Sequence, residues 1–292
     1  GGIVRLTKFI LRGTFLIEAL GAVLLFPVFC RDFGIKGIWM SVFHSISAFC
    51  NAGFDILGTT DHTFVSLTGY SRNIWLNIVI MLLIITGGIG FLTWEDFYTN
   101  KFKFKRYRMQ SKVILITTAI LIIAPAVFFF ACDFGNLPAG KRLLASVFQS
   151  VTTRTAGFNT EDLSLMTEAG KAVMILLMLI GGSPSSTAGG MKTTTFAVLI
   201  LNAFATFRSR EDAGAFGRRF DGQVIKNAAT IAMLYFMLFF FGGITISVYE
   251  GLPVLNCFYE AASAVGTVGL TLGITPELHI ISRLILIALM YL

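Results

Sequence analysis

The chain has 292 residues, of which 55% are hydrophobic and only 13% are charged, and its mean hydropathy is +0.78. Because an ordinary soluble chain carries about 25% charged residues, this composition excludes a soluble globular protein and predicts an all-α integral membrane protein. The net charge of +7 is compatible with nucleic acid as a partner. The positions of the basic residues between predicted spans argue against that partner.

Long charge-free stretches predict where the chain crosses the bilayer, since about 20 apolar residues span its hydrocarbon core. In chain order, four such stretches are the predicted spans 73–94, 113–132, 172–191 and 227–249. A fifth span, 13–30, is interrupted only by Glu18, and a sixth begins near Leu278 and is cut off by the chain end.

Shorter apolar runs lie between these spans, at 38–49, 143–151 and 254–265. Runs of this length are more typical of re-entrant segments than of spans. A glycine-containing stretch follows each run, and irregular backbone at membrane depth is tolerated only where it is buried in protein or lines a cavity. The chain is therefore predicted as repeated units of helix, half-helix, loop and helix. The predicted units are 1–100, 101–210 and 211–292.

Basic residues are concentrated before the first span and in the connections 101–112 and 208–226, which the positive-inside rule places in the cytoplasm. The loops after the half-helices then face the outside, where acidic residues would concentrate cations. The strip 101–108 interleaves bases with aromatic residues, as single-strand binders do. It joins two spans, however, so we predict a cytoplasmic loop that contacts lipid or another subunit, and no nucleic acid.

The tripeptide Thr267-Val268-Gly269 resembles a potassium-channel selectivity filter, in which rings of backbone carbonyls replace the ion's water. Two further segments of the same kind, 45–54 and 152–160, also follow a short apolar run. Aligned on Gly53, Gly157 and Gly269, the three segments form an internal repeat.

The stretch 181–195 places four glycines, a proline and several hydroxyl residues where a span should continue. Proline and glycine both disfavour a continuous helix, so the helix is predicted to break here, as a movable barrier or as a static kink. Met191 separates Gly190 from Lys192, which argues against a phosphate-binding loop. The sequence has no His-Glu-x-x-His pattern or Cys-x-x-Cys spacing, so we predict no enzyme and no organic cofactor.

These segments together resemble the Trk/Ktr/HKT superfamily of potassium transporters, whose subunits contain four M1–pore-helix–M2 repeats around a pseudo-fourfold pore. The resemblance covers essentially the whole chain, as repeats two to four, and implies that the first repeat is absent and the last M2 helix is truncated. It implies potassium uptake by a homodimer with a peripheral cytosolic ring of nucleotide-binding regulatory subunits. It also implies a multi-pass protein in the inner (cytoplasmic) membrane, surrounded by the lipid bilayer, with filter loops facing outside.

The resemblance also implies the site residues. The ion-binding filter residues are Cys50, Asn51, Ala52, Gly53, Arg154, Thr155, Ala156, Gly157, Gly266, Thr267, Val268 and Gly269. Transported potassium is expected at Gly53, Gly157, Thr267, Val268 and Gly269. The gating loop comprises Gly181, Gly182, Ser183, Pro184, Ser185, Ser186, Thr187, Ala188, Gly189, Gly190 and Lys192.

Several alternatives stay open at this point. The same fold could carry sodium or mixed monovalent cations, or the chain could be a membrane sensor or scaffold that transports nothing. Arg154 could counterbalance carbonyl density or tie the filter to the pore helices. Lys192 could repel cations, pair with an acid or reach the cytoplasmic surface. Glu260 could hydrogen-bond the surroundings of its half-helix or contact the ion.

Overall fold

The computed structural model describes residues 2–59, 65–210 and 212–291. Its helices, in chain order, are α1 (Gly2–Phe33), α2 (Lys36–Phe49), α3 (Ile74–Ile89), α4 (Phe91–Asn100), α5 (Met109–Cys132), α6 (Ala139–Thr152), α7 (Glu168–Leu179), α8 (Thr193–Phe207), α9 (Gly222–Glu250), α10 (Val254–Val265) and α11 (Ile280–Tyr291). A two-stranded antiparallel hairpin, β1 (Gly214–Ala215) and β2 (Arg218–Arg219), lies between α8 and α9. The predicted all-helical class is thus confirmed.

Three helices in the described part of the chain, α1, α5 and α9, are each long and apolar enough to cross a membrane, and the bent pair α3–α4 would add a fourth. The predicted spans 13–30, 113–132 and 227–249 lie within them. Large apolar side chains are exposed on these helices, such as Phe15, Phe241 and Val248. Exposed apolar surface of this extent is unfavourable in water but favourable against lipid.

Two of the predicted spans are not continuous helices. The stretch 73–94 divides at Gly90, where φ is +98° and the chain turns by 96° between α3 and α4. A residue with a side chain rarely adopts this backbone conformation, so the glycine permits the bend. The stretch 172–191 also divides, because α7 ends at Leu179 and irregular backbone leads to α8. This second break follows the predicted interruption of the helix by glycine and proline.

The short helices α2, α6 and α10 coincide with the predicted half-helices, although α2 and α6 begin two and four residues earlier than predicted. Each packs against the long helix that precedes it, as α2 does against α1 and α10 against α9. Their last turns are buried. Because the last turns of the half-helices are buried, the three loops that follow them begin inside the protein.

The core consists of two apolar clusters of described residues. One joins the first two predicted units through Phe29, Phe49 and Phe148, which are fully buried. The other surrounds Met174 and Tyr259 and joins the second and third units. The half-helices contribute to both clusters, so the packing that stabilises the fold also fixes the positions of the loops.

The connection between α4 and α5 is fixed by a buried carboxylate. Asp96 is 4% exposed and accepts hydrogen bonds from the Ser111 hydroxyl at 2.6 Å and from the Arg108 backbone N–H at 3.0 Å. The neighbouring Glu95 also pairs with Arg108, but both side chains of that pair are substantially exposed to solvent. The buried acceptor therefore carries more of the stability than the exposed ion pair does.

We expect Asp96→Ala to destabilise the fold by about 1–3 kcal/mol, because it leaves buried donors at Ser111 and Arg108 without an acceptor. The apparent melting temperature in detergent should fall by roughly 2–4 °C for each kcal/mol. Glu95→Ala is the matched control, and it should change stability by about 0–1 kcal/mol. Equal shifts in the two variants would show that Asp96 does not fix this connection.

Candidate ion-selectivity site and intramembrane loop

The three loops that follow the half-helices share one backbone signature. In each, φ is positive at the filter glycine and again two residues earlier, while the residue between them has no positive φ. The values are +51° and +70° for Asn51 and Gly53, +63° and +87° for Thr155 and Gly157, and +53° and +87° for Thr267 and Gly269. The repetition in three loops indicates a required geometry, because a left-handed conformation costs a non-glycine residue roughly 1–2 kcal/mol.

This alternation in the sign of φ has a direct consequence for the carbonyl groups. An ordinary extended chain points successive carbonyls to opposite sides, whereas alternating signs of φ point them to the same side. A ring of backbone carbonyls that replaces the water around an ion requires the second arrangement. The loops thus have backbone geometry suited to coordinating a cation with main-chain oxygen atoms.

The structure brings the three filter glycines together. A Cβ added to Gly53 would collide with the carbonyl oxygen of Ala156 and the Cα of Gly157. A Cβ added to Gly157 would collide with the carbonyl oxygen of Val268, and one added to Gly269 would lie 3.9 Å from the Cα of Gly157. Gly157 therefore lies between the other two, with carbonyl oxygens of neighbouring loops against two of the glycines.

Hydrogen bonds from the half-helices hold the loops in this conformation. The backbone N–H of the residue before each glycine donates to a carbonyl in the last turns of its half-helix, as Ala52 does to Ser47 at 2.9 Å and Val268 to Ser263 at 2.8 Å. Side chains hold the residues after the glycines: the Ser47 hydroxyl donates to the Phe54 carbonyl at 2.7 Å. Each loop is thus fixed on both sides of its glycine.

The third loop uses a different group for the same purpose. In the second unit the Thr152 hydroxyl donates to the Phe158 carbonyl at 2.5 Å. In the third unit the carboxylate of Glu260 accepts from Thr271, Leu272 and Thr275. The sequence analysis identified Glu260 but missed the two hydroxyl groups, because serine and threonine near a helix end have many local uses and no pattern distinguishes this one.

The half-helices also contribute electrostatically. Their C-terminal ends, at Phe49, Thr152 and Val265, lead directly into the filter loops. Unsatisfied carbonyls give a helix C-terminus a partial negative charge, which favours a nearby cation. The convergence of the filter loops therefore lies close to three helix ends of the sign that a cation site needs.

The other predicted filter residues, Cys50, Asn51 and Gly266, lie at the ends of their half-helices. Cys50 is exposed at the end of α2, while Asn51 is buried and its side-chain Nδ2 donates to the Arg154 carbonyl at 3.2 Å. This bond ties the first and second units together. Gly266 closes the end of α10.

The Arg154 side chain is 4% exposed, and its Nε and Nη2 atoms have no hydrogen-bond partner among the described residues. Arg154 lines a narrow gap together with Ile84, Ile85 and Gly88 of α3, the second long helix of the preceding unit. Both roles considered for Arg154, the counterbalance to carbonyl density and the tie to the pore helices, stay predictions.

The irregular segment between α7 and α8 is a compact loop that closes on itself. Backbone hydrogen bonds join Gly181 N–H to the Met191 carbonyl at 2.8 Å and Gly182 N–H to the Gly189 carbonyl at 3.3 Å. The half-buried Lys192 donates from Nζ to the Ala188 carbonyl at 2.7 Å. Lys192 has no acidic partner among the described residues, so its charge contacts the loop itself.

This intramembrane loop lies directly against all three filter segments. The Thr187 hydroxyl donates to the Phe49 carbonyl at 2.9 Å, and the Gly189 N–H donates to Thr155 Oγ1 at 3.2 Å. A Cβ on Gly189 would collide with the side chain of Thr267. The loop thus lies beside the parts of the filter segments that precede their glycines.

The intramembrane loop also packs against the bend between α3 and α4. Ser183 N–H donates to the Gly88 carbonyl at 3.0 Å, and Phe91 N–H donates to the Ser185 carbonyl at 2.8 Å. A Cβ on Gly87 would collide with the Phe49 carbonyl, and one on Gly90 with the Pro184 carbonyl. The small residues Gly87, Gly88 and Gly90 are a sequence signal for close packing or a bend, but nothing in the sequence identifies the loop as the partner.

Comparison with known proteins gives a consistent result. Residues 1–292 match the family described as TrkH, cation transport protein. The chain is 39% identical over 300 residues to the potassium/sodium uptake protein NtpJ of Enterococcus hirae, covering 99% of this chain and 65% of the relative. It is 35% identical over 298 residues to the Ktr system potassium uptake protein B of Bacillus subtilis, covering 100% and 65%.

A solved structure shows the same fold. The chain superimposes on the crystal structure of the potassium transporter TrkH from Vibrio parahaemolyticus with a TM-score of 0.76 and 17% identity, covering 99% of this chain and 61% of that one. The chain thus spans slightly less than two thirds of the length of these relatives. Because the family match extends over all 292 residues, the chain belongs to the TrkH family of cation transport proteins.

Proposed function

We propose that the protein carries out potassium uptake across the membrane, through a selectivity filter formed by its re-entrant loops. The observation that carries this proposal is the convergence of Gly53, Gly157 and Gly269 in loops with the same alternating backbone geometry. Backbone carbonyls arranged in this way can replace the hydration shell of a potassium ion. The names of the relatives, which include potassium uptake proteins, support the same ion.

In this proposal the units 1–100, 101–210 and 211–292 occupy three positions of a pseudo-fourfold pore. Potassium contacts the carbonyl groups at Gly53, Gly157, Thr267, Val268 and Gly269. The filter loops face the outside, and the basic connections face the cytoplasm, in agreement with the positive-inside rule. The protein is placed in the inner membrane as a homodimer, with cytosolic nucleotide-binding subunits on the basic face.

A second candidate keeps the fold and changes the ion. One relative is described as a potassium/sodium uptake protein, which favours testing sodium in the same assay. A non-transporting sensor or scaffold would show no flux of either ion. Cation-competition flux in proteoliposomes that contain the complete protein separates these three functions, and equal uptake of sodium and potassium would contradict a potassium-selective filter.

The intramembrane loop is proposed as the gate. It contacts each filter segment, so an ion that leaves the filter on this side meets the loop at once. Its contacts with the filter segments include single hydrogen bonds, each worth about 0.5–1.5 kcal/mol. A difference of about 5.5 kcal/mol in partner binding moves a two-state element from 1:99 to 99:1, which lies within reach of a cytosolic regulatory subunit.

The filter assignment predicts that Gly157→Ser lowers the potassium-to-sodium flux ratio by roughly tenfold, equivalent to about 1.4 kcal/mol. Gly157 has a φ of +87° and no room for a Cβ, so a side chain displaces the neighbouring Val268 carbonyl. Gly140→Ser on α6 is the matched control, because a Cβ there meets nothing within 4 Å. A flux ratio that is the same in both variants would contradict the assignment.

The gate assignment predicts that Thr187→Val increases potassium flux by roughly two- to tenfold, the effect of one hydrogen bond on a closed state. Valine retains the shape of threonine but cannot donate to the Phe49 carbonyl. The flux ratio of potassium to sodium should stay unchanged, because the filter carbonyls are not altered. Ser185→Ala, which changes an exposed side chain of the same loop, serves as the control, and reduced flux in Thr187→Val would show that the barrier lies elsewhere.

A further inference from the structure

The segment that follows the third filter glycine is fixed by one side chain. Glu260, on the half-helix α10, accepts hydrogen bonds at Oε1 from the Thr271 hydroxyl and from the Leu272 backbone N–H, both at 2.9 Å. Its Oε2 accepts from the Thr275 hydroxyl at 2.6 Å. Three donors from a five-residue segment thus converge on one carboxylate.

The Glu260 side chain is 4% exposed, so these donors replace water around a buried acid. Burial of a carboxylate is costly unless hydrogen bonds satisfy both oxygen atoms, and this condition is met here. The three hydrogen bonds occupy three of the roughly four acceptor sites of the carboxylate, and all three donors belong to the protein. Of the two roles left open for Glu260, its contacts support the hydrogen bonding of its surroundings.

The position of this segment connects Glu260 to the filter. Thr271 lies two residues after Gly269, whose φ is +87°. On the other side of the glycine, the Val268 N–H is held by the Ser263 carbonyl at 2.8 Å. Gly269 therefore lies between one anchor in the backbone of α10 and a second anchor in the side chain of Glu260 on the same helix.

The other two filter loops show what this second anchor replaces. There a single hydroxyl group, of Ser47 or Thr152, donates to the carbonyl of the residue directly after the filter glycine. In the third loop the residues that are held lie two to six positions after the glycine, at Thr271, Leu272 and Thr275. They donate from a backbone N–H and two hydroxyl groups, and the longer side chain of Glu260 accepts from all three. Hydrogen bonds to a charged acceptor are worth about 1.5–3 kcal/mol, roughly twice those between neutral groups.

We propose that Glu260 is a positioning residue for ion selectivity, which holds the filter carbonyls around Gly269 by fixing the segment 271–275. The proposal rests on the filter function proposed above. Loss of the carboxylate releases one end of the Val268–Gly269 segment, and the carbonyl groups then adjust to ions of different size. Discrimination is lost while the pathway stays open.

The test measures potassium and sodium flux separately for Glu260→Ala and Glu260→Gln in the complete protein. The alanine variant should lower the potassium-to-sodium ratio by roughly tenfold, or about 1.4 kcal/mol, while sodium flux is retained or increased. Glutamine should restore most of the ratio, because its oxygen accepts from Leu272 and its amide donates to Thr275 Oγ1. Glu277→Gln, an exposed acid just beyond the segment, is the control and should leave the ratio unchanged.

A double-mutant cycle distinguishes positioning from general destabilisation. Thr275→Val removes one donor to Glu260, so its effect on the ratio should be small in the Glu260→Ala background and larger in the native one. Additive effects of the two substitutions would overturn the proposal. If Glu260→Ala prevents folding, the single variant Thr275→Val tests the proposal by itself. An unchanged potassium-to-sodium flux ratio in Thr275→Val then contradicts the proposal.

Gly157→Ser, measured in the same assay, separates this proposal from the proposed function. If Gly157→Ser lowers the ratio and Glu260→Ala does not, the filter assignment stands and the role of Glu260 is wrong. If neither substitution changes the ratio, the filter assignment itself is wrong.

Discussion

The structure depends on one constraint: irregular backbone inside a membrane must have all of its polar groups satisfied by protein. The filter loops need positive φ values and exposed carbonyl oxygens at their centre, so they cannot satisfy themselves as a helix does. The half-helices α2, α6 and α10 provide the missing partners through their last turns. The long helices in turn cover the half-helices and expose apolar side chains where lipid would lie.

The same constraint explains why the intramembrane loop lies where it does. A break in the helix between α7 and α8 leaves N–H and carbonyl groups without helical partners, and these groups bond to one another, to the filter segments and to the bend after α3. The bend at Gly90 frees a further N–H, of Phe91, which the Ser185 carbonyl accepts. The two interrupted helices thus supply hydrogen-bond partners to each other.

The sequence predicted the elements whose signal is local. Hydropathy located the long helices α1, α5 and α9, and the short apolar runs located the half-helices to within a few residues. The repeated glycines located the filter loops, because a positive φ at a position packed against another segment of the chain favours glycine. Hydropathy did not locate the turn at Gly90 within the predicted span 73–94, because the residues on both sides of it are apolar whether or not the helix turns there.

The sequence did not predict the contacts between segments that lie far apart in the chain. Thr187 and Phe49 are 138 residues apart, and no pattern in either segment specifies the other. The hydroxyl groups of Ser47 and Thr152 were missed for the same reason, since each has an ordinary local use at a helix end. Glu260 was identifiable as an unusual acid in an apolar run, but its three donors lie beyond the filter, and only the fold brings them to it.

Two cations in this region, Arg154 and Lys192, are compatible with a cation pathway because of where their charges lie. Arg154 lines a narrow gap beside α3, and its backbone carbonyl accepts from Asn51. Lys192 donates to a carbonyl of the intramembrane loop, so its charge is associated with the loop conformation described here. In the proposed gate, the positive charge of Lys192 opposes cation passage while the loop is in place, and displacement of the loop removes the steric and the electrostatic obstacle together.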